Sequence, residues 1–156
     1  MRYILILGAI VLGFLSCKKD KFNTVPQITF KNISPDTWLT TNLDQNQSPI
    51  LTFKLTDAEG DFGFNEKFDT SYIYVKNISV APFKLDSMKF PVLSGLNRSN
   101  LNVDVEVKIR SVLASTYVSG GRRPHVDTLR FEVYVKDFAK NKSNVIIAQP
   151  LYYVVP

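Results

Sequence analysis

The stretch Leu101-Asn-Val-Asp-Val-Glu-Val-Lys-Ile-Arg110 decides the fold class, because it alternates without a break between apolar and polar side chains. Successive side chains of a β-strand point to opposite faces of the sheet, so this stretch predicts a strand with one buried and one exposed face. Leu129-Arg-Phe-Glu-Val-Tyr-Val-Lys136 repeats the pattern. Weaker alternation predicts further strands, at 27–33, 50–56, 71–77 and 144–155.

The connections between these segments favour antiparallel sheets. They are rich in Pro, Gly, Asn, Asp and Ser and show no helical period. Strands with one apolar face need a second apolar layer to cover that face, so the sequence predicts an all-β, antiparallel β-sandwich. Because residues 26–156 exceed the roughly 100 residues of a simple sandwich domain, we expect a long connection at 78–100. A second excursion, 111–127, is interpreted as a long hairpin.

The composition fits one globular domain and excludes several classes of protein. The chain has 156 residues, of which 45% are hydrophobic and 21% charged, with 11 Phe, 7 Tyr and a formal net charge of +5. So many aromatic residues exclude a disordered chain, since such chains are poor in them. The single Cys excludes an intrachain disulfide and a cysteine-rich zinc module.

The amino terminus has the plan of a signal peptide. Met1-Arg-Tyr precedes an apolar run from Ile4 to Leu15, which ends at Ser16, Cys17 and two lysines. A membrane-spanning helix needs roughly 20 apolar residues, and this run is shorter. The sequence therefore predicts a signal peptide at 1–16. The signal peptide could be of the plain secretory kind, with Cys17 as an incidental thiol, or of the kind that ends at a lipid-modified cysteine.

The segment Phe14-Leu15-Ser16-Cys17 resembles the lipobox of bacterial lipoproteins, in which the cysteine receives lipid. The resemblance implies acylation of Cys17, a lipidated tether at 17–25 and a folded domain at 26–156. The basic residues that follow the cysteine resemble those of small envelope lipoproteins of Bacteroidota. This resemblance implies that the chain is anchored in the cell envelope, at the outer membrane.

The last hairpin carries a second resemblance. Asp137, Ala139, Asn141 and Ser143 match the tight turn and closing strand of bacterial immunoglobulin-like domains, and Lys140 stands where those domains often have glycine. The resemblance implies an immunoglobulin-like, cadherin-like β-sandwich. We expect the turn to form without the glycine, because Asn tolerates a positive φ.

The densest acidic stretch suggests a calcium site. Calcium takes six to eight oxygen ligands, and carboxylates two apart around glycine turns can converge on one ion. The stretch does not fit an EF-hand, because Phe62 and Phe68 occupy the positions of its required Gly and Glu. The alternative is that Asp and Gly serve here as ordinary turn residues. The candidate ligands are Asp57, Glu59, Asp61 and Asp69.

Four further residues are candidates for binding. The flat rings of Trp38 and Tyr117 suit a sugar or a protein partner, although such rings also serve as packing. Arg122 and Arg123, at a Gly-Gly-Arg-Arg-Pro tip, suit a phosphate or sulfate, although arginines at loop tips are often merely solvated.

Two triplets, Asp86-Ser87-Met88 and Asp127-Thr128-Leu129, resemble the sites at which Bacteroidota O-glycosylate exported proteins. The resemblance implies Ser87 and Thr128 as acceptors. The one histidine, His125, would share a strand face with Asp127, but a catalytic triad needs a third partner and an oxyanion donor, and the sequence places neither.

The sequence therefore predicts a non-enzymatic protein. We expect a lipoprotein that acts as a binding or scaffolding module, as an accessory subunit of an outer-membrane protein complex, with a protein partner in the envelope. Its contact with the bilayer would run through acylated Cys17, and an exported protein is not expected to meet nucleic acid. The alternative is a cell-surface carbohydrate-binding module stabilised by calcium.

Overall fold

The computed structural model describes residues 22–39, 48–63, 70–79, 81–91, 93, 99–110, 112–113 and 123–156. Ten strands lie within them: β1 (Gln27–Ser34), β2 (Thr37–Leu39), β3 (Ile50–Asp57), β4 (Tyr72–Asn77), β5 (Leu85–Lys89), β6 (Leu101–Lys108), β7 (His125–Leu129), β8 (Phe131–Lys136), β9 (Ile146–Ile147) and β10 (Leu151–Val155). The all-β prediction is confirmed. Within these residues, no helix is both long and apolar enough to cross a bilayer.

The first sheet, β1-β3-β6, is antiparallel and contains the stretch that predicted the fold class. The register of β3 against β6 runs from Ile50 opposite Lys108 to Asp57 opposite Leu101. The alternation in β6 buries Leu101, Val105 and Val107 and exposes the polar residues between them. Each apolar position therefore faces the core, as the pattern predicts.

The second sheet has the order β5-β4-β8-β9 and is also antiparallel. Its centre is β4, where Tyr74 lies opposite Ser87 of β5 and Tyr134 of β8. The third sheet has the order β2-β10-β7, in which β10 runs antiparallel to β7 and parallel to β2.

The second and third sheets share one long bent hairpin. Its first leg is β7 and β8, and its second leg is β9 and β10. The prediction of a single strand from Leu129 to Lys136 was wrong, because Arg130 separates β7 from β8. The Arg130 amide donates a hydrogen bond to the Ser79 hydroxyl, and the Arg130 carbonyl accepts one from the Ile78 amide. The segment from 144 to 155 divides in the same way, so each leg changes sheets halfway along.

One hydrophobic core connects the three sheets. Phe53 comes from the first sheet, Phe131 from the second and Leu151 from the third, and all three are fully buried. Sheets whose inner faces share a core in this way form a sandwich-like architecture. The finer assignment to immunoglobulin-like domains stays a prediction.

The side chain of Asn144 joins the hairpin to β1. Its Oδ1 accepts a hydrogen bond from the Ile28 amide at 2.8 Å, and its Nδ2 donates to the Ile28 carbonyl at 2.9 Å. The amide side chain thus satisfies a backbone donor and acceptor as a neighbouring strand would.

The connection predicted at 78–100 contains an additional strand, β5. This strand has no clear apolar alternation by which the sequence could predict it, because each of its five side chains is exposed or only partly buried. Most of the predicted excursion at 111–127 lies outside the described residues, and β7 begins at His125.

Candidate functional site

Part of the predicted site lies outside the described residues. This holds for the signal peptide at 1–16 and for Cys17, Asp69, Tyr117 and Arg122. Of the predicted tether, only residues 22–25 are described. What the sequence predicts for these residues therefore stays a prediction.

Trp38 is not an exposed loop residue. It lies in β2 and is only 6% exposed. The parallel pairing of β2 with β10 places it opposite Tyr153, and the two rings pack with centroids 5.4 Å apart. The placement of Trp38 in an exposed loop is therefore corrected: its ring packs at the core, and little of it is open to a ligand.

The other described candidates are accessible. Arg123 precedes β7, and Ser87 and Thr128 lie on β5 and β7 with exposed side chains. His125 and Asp127 share one face of β7, with Nε2 and Oδ2 3.4 Å apart. A ligand or a modifying enzyme could therefore reach these residues. Exposure alone does not show that any of them has a function.

The acidic stretch brings Asp57 and Asp61 to one end of the sandwich. Asp57 ends β3 and is fully buried, and its Oδ2 accepts a hydrogen bond from the Gly60 amide at 2.6 Å. The turn depends on Gly60, which has a φ of 60°. The Oδ1 atoms of Asp57 and Asp61 are both buried without a hydrogen-bond partner.

A third carboxylate, Asp137, comes from the turn between β8 and β9. It is fully buried, and its two oxygens accept from the backbone and side-chain amides of Asn141 at 2.7 and 2.9 Å. The Asp61 carbonyl accepts from the Phe138 amide at 3.0 Å, so the two turns are in contact. The predicted turn is confirmed here, although Lys140 and not Asn141 has the positive φ, of 69°.

Burial and the proximity of these carboxylates raise the pKa values of Asp57 and Asp137. Burial, followed by repulsion from Asp61 and Asp137, raises the pKa of Asp57 to about 6. Burial also raises the pKa of Asp137, and the hydrogen bonds from Asn141 oppose that rise. Glu59 is exposed. Within the described ranges, no three Asp, Glu, His or Cys side chains are grouped to hold one metal ion.

A second surface lies on the outer side of the β5-β4-β8-β9 sheet, and we call it the Tyr–Lys face. The register arranges its side chains in three rows that cross the strands. The first row is Lys89, Tyr72, Lys136 and Lys142; the second is Ser87, Tyr74 and Tyr134; the third is Leu85, Lys76, Glu132 and Ile147.

Aromatic stacking orders the middle of the Tyr–Lys face. The rings of Tyr74 and Tyr134 stack at 4.6 Å with an interplanar angle of 8°, and Tyr72 packs 6.2 Å from Tyr74. Lys142 Nζ lies 4.1 Å from the centroid of the Tyr134 ring, and Lys136 Nζ lies 5.6 Å from that of Tyr74. Partial burial raises the pKa of Tyr134, and Tyr74 adds to the rise.

Only some of the side chains on the Tyr–Lys face could be predicted from the sequence. The alternation in β4 and β8 predicts that Tyr72, Tyr74 and Tyr134 point away from the core, and all three are half-buried on the outer side. The same alternation predicts that Lys136 points outward. The row that Lys136 forms with Lys89 and Lys142 was not predicted, because it depends on the pairing of segments that are distant in the sequence. Lys142 joins the face through its bridge to Lys136.

Comparison with known proteins gave no match: no family model, no curated protein and no solved structure is similar to this chain.

Proposed function

We propose that the chain is a membrane-anchored lipoprotein whose β-sandwich acts as a non-catalytic binding or scaffolding module, an accessory subunit of an outer-membrane protein complex. The lipobox-like segment at 14–17 supports the anchor. Acyl chains on Cys17 would hold the domain at a bilayer, since each buried methylene contributes about 0.8 kcal/mol.

The observation that carries the binding function is the composition of the Tyr–Lys face. Half-buried tyrosines, ammonium groups and exposed apolar side chains share one outer sheet surface, where Ile147 is 59% exposed and Leu85 47% exposed. Aromatic residues are enriched in protein interfaces, where they contribute much of the binding energy.

The calcium site is a second proposal, and the unpartnered oxygens of Asp57 and Asp61 support it. Two carboxylates suit a hard cation that completes its shell with backbone oxygens and water. The ion would neutralise the buried acids and link the turn after β3 to the β8–β9 turn. The carbohydrate-binding alternative has less support, because Trp38 is buried and the faces of Tyr74 and Tyr134 are covered.

Cross-linking in intact cells tests the binding function. The native protein is expected to give the same protein neighbour in repeated experiments, and the unanchored variant Cys17→Ser is expected to lose it. Recovery of the native chain without any reproducible neighbour would contradict the proposal.

Calorimetry with CaCl₂ tests the cation site. Binding heat and a rise in Tm are expected for the native chain, and both should disappear in Asp57→Asn. Native protein that gives no heat and no rise in Tm removes calcium from the account.

A further inference from the structure

We propose that the Tyr–Lys face binds an acidic protein segment that also carries apolar side chains. The inference rests on the proposed binding function and names the chemistry of the partner.

The charge of the face is the first argument. Among the described outward residues of this sheet, four are lysines, and Glu132 is the one acid. Glu132 Oε2 lies 3.7 Å from Lys76 Nζ, so its charge is already paired. The first row has Lys136 and the bridged Lys142 at one end and Lys89 at the other, and a spacing of about 4.8 Å between paired chain segments makes this row about 14 Å long. An extended acidic segment matches that length and charge.

The placement of Lys136 and Lys142 is the second argument. They lie directly opposite each other in an antiparallel bridge, where like charges destabilise a sheet. Each ammonium group is placed over a tyrosine ring, which fixes its position at the surface. A carboxylate bound between Lys136 and Lys142 would relieve the repulsion between their ammonium groups. Binding would cost little side-chain entropy, because the tyrosine rings already hold both ammonium groups in place.

The covered rings favour a protein over a sugar. One side of the Tyr134 ring stacks on Tyr74, and Lys142 lies over the ring as well. Sugars bind aromatic residues by lying flat on an open ring, and this pair offers little open surface. The phenol hydroxyls and the ammonium groups are instead donors that can form hydrogen bonds with carboxylates.

The third row supplies the apolar part of the site. Leu85 and Ile147 lie at its two ends, and Phe83 beside them is 54% exposed, with its ring 5.2 Å from Lys76 Nζ. A partner that contacts both the first and the third row needs acidic and apolar side chains together. Protein segments have both on one strand, whereas uronate polymers offer the charge alone and the acyl chains of a bilayer lie beneath its headgroups.

Fluorescence anisotropy with the purified full-length chain tests the inference. The probe is a short labelled peptide in which Leu follows every two Glu residues, and the comparison peptide has Ser in place of Leu. We expect the triple variant K89Q/K136Q/K142Q to lose about tenfold in affinity for the Leu peptide. The Ser peptide should bind the native chain about fivefold more weakly than the Leu peptide.

Two matched variants control for net charge and for folding. K31Q/K54Q/K108Q removes the same number of charges from the outer side of the β1-β3-β6 sheet and should stay within about twofold of the native affinity. K136R/K142R keeps the charge and should retain binding. Equal losses in both Lys→Gln variants would overturn the proposal, as would tighter binding of polygalacturonate or phosphatidylglycerol vesicles than of the Leu peptide.

Photo-cross-linking in cells separates this inference from the proposed function. A photoreactive amino acid replaces Ser87 on the Tyr–Lys face or, as a control, Glu106 on the first sheet. Protein adducts from position 87 that K89Q/K136Q/K142Q abolishes would support the inference. Adducts from position 106 alone would overturn the Tyr–Lys face and leave the binding function intact, and adducts from neither position would overturn both.

Discussion

At the scale of single residues, Asp57 is the described carboxyl group with the most strongly raised pKa, and it makes stability depend on pH. Its carboxyl group is fully buried, with one oxygen unpartnered, and its pKa is raised from 3.8 to about 6. The folded protein therefore binds this proton more tightly than the unfolded chain does. Stability from this group is fully present below pH 3.8 and is lost as the pH rises through about 6.

Asp57→Asn is expected to raise the free energy of unfolding at pH 7.5, because the variant buries no charge and keeps an oxygen for the Gly60 amide. Two pKa units correspond to about 3 kcal/mol, and we expect about 1–3 kcal/mol after relaxation. At pH 4 the two proteins should differ little. Urea denaturation with EDTA at both pH values measures this, with exposed Glu59→Gln as the control. A gain of the same size at both pH values would contradict the assignment.

Asn144→Ala is expected to lower the free energy of unfolding by about 1–3 kcal/mol, because it leaves the Ile28 amide and carbonyl without their partner. Asn102→Ala, at an exposed position of β6, is the matched control and should cost less than about 0.5 kcal/mol. Chemical denaturation measures the free energy of unfolding of both variants. Equal losses in the two variants would show that the hydrogen bonds of Asn144 do not contribute to stability.

The sequence predicted which residues bear charge and which form turns, but not which of them meet. Asp57 and Asp61 are both among the four predicted calcium ligands because they are close in the chain. Asp137 was identified only as a turn residue, since its approach to them depends on the packing of two turns distant in sequence. Trp38 was misassigned for the same reason: nothing local to it reveals the pairing with Tyr153.

At the scale of elements, the β8–β9 turn places a residue other than glycine in the left-handed region. Lys140 adopts a φ of 69°, a conformation that glycine reaches at less cost than any residue with a Cβ. The long-range bonds at this turn come from the neighbouring Phe138 and Ala139 amides to Asp61, and Lys140 Nζ adds an exposed bond to the Thr70 carbonyl.

Lys140→Gly is expected to raise the free energy of unfolding by about 0.5–1 kcal/mol, because the relief of strain outweighs the loss of the exposed bond to Thr70 and of the attraction between the Lys140 ammonium and the Asp137 carboxylate. Lys140→Ala also loses that bond but keeps the Cβ, so it should give no gain. Thermal and urea unfolding compare the two variants with the native chain. Equal effects of Gly and Ala would mean that the positive φ is not the source of the difference.

Strands with one buried face were predictable, and strands without one were not. The alternation in β6 fixes its two faces because every second side chain enters the core. β5 lies at a sheet edge with no fully buried side chain, so its sequence has no such pattern. The break at Arg130 escaped prediction because it depends on hydrogen bonds to residues 78 and 79.

At the scale of the whole molecule, one core predicts one unfolding transition. Phe53 is fully buried in β3, the central strand of the first sheet, and the lone Trp38 reports on the third sheet. Trp38 fluorescence and far-ultraviolet circular dichroism should therefore give coincident urea transitions.

Phe53→Ala is expected to shift both transitions together, lowering the free energy of unfolding by about 3–5 kcal/mol. Exposed Phe83→Ala is the control and should change it by less than about 0.5 kcal/mol. Transitions that separate, with fluorescence unaffected by Phe53→Ala, would show that the third sheet unfolds independently.

The proposed function depends most on the proposed lipid anchor at Cys17. Intact mass spectrometry of the native protein, purified from its own cells, tests this directly. The account predicts a mature chain that begins at Cys17 and carries the mass of the attached acyl groups. A chain that retains residues 1–16, or an unmodified Cys17, would contradict it.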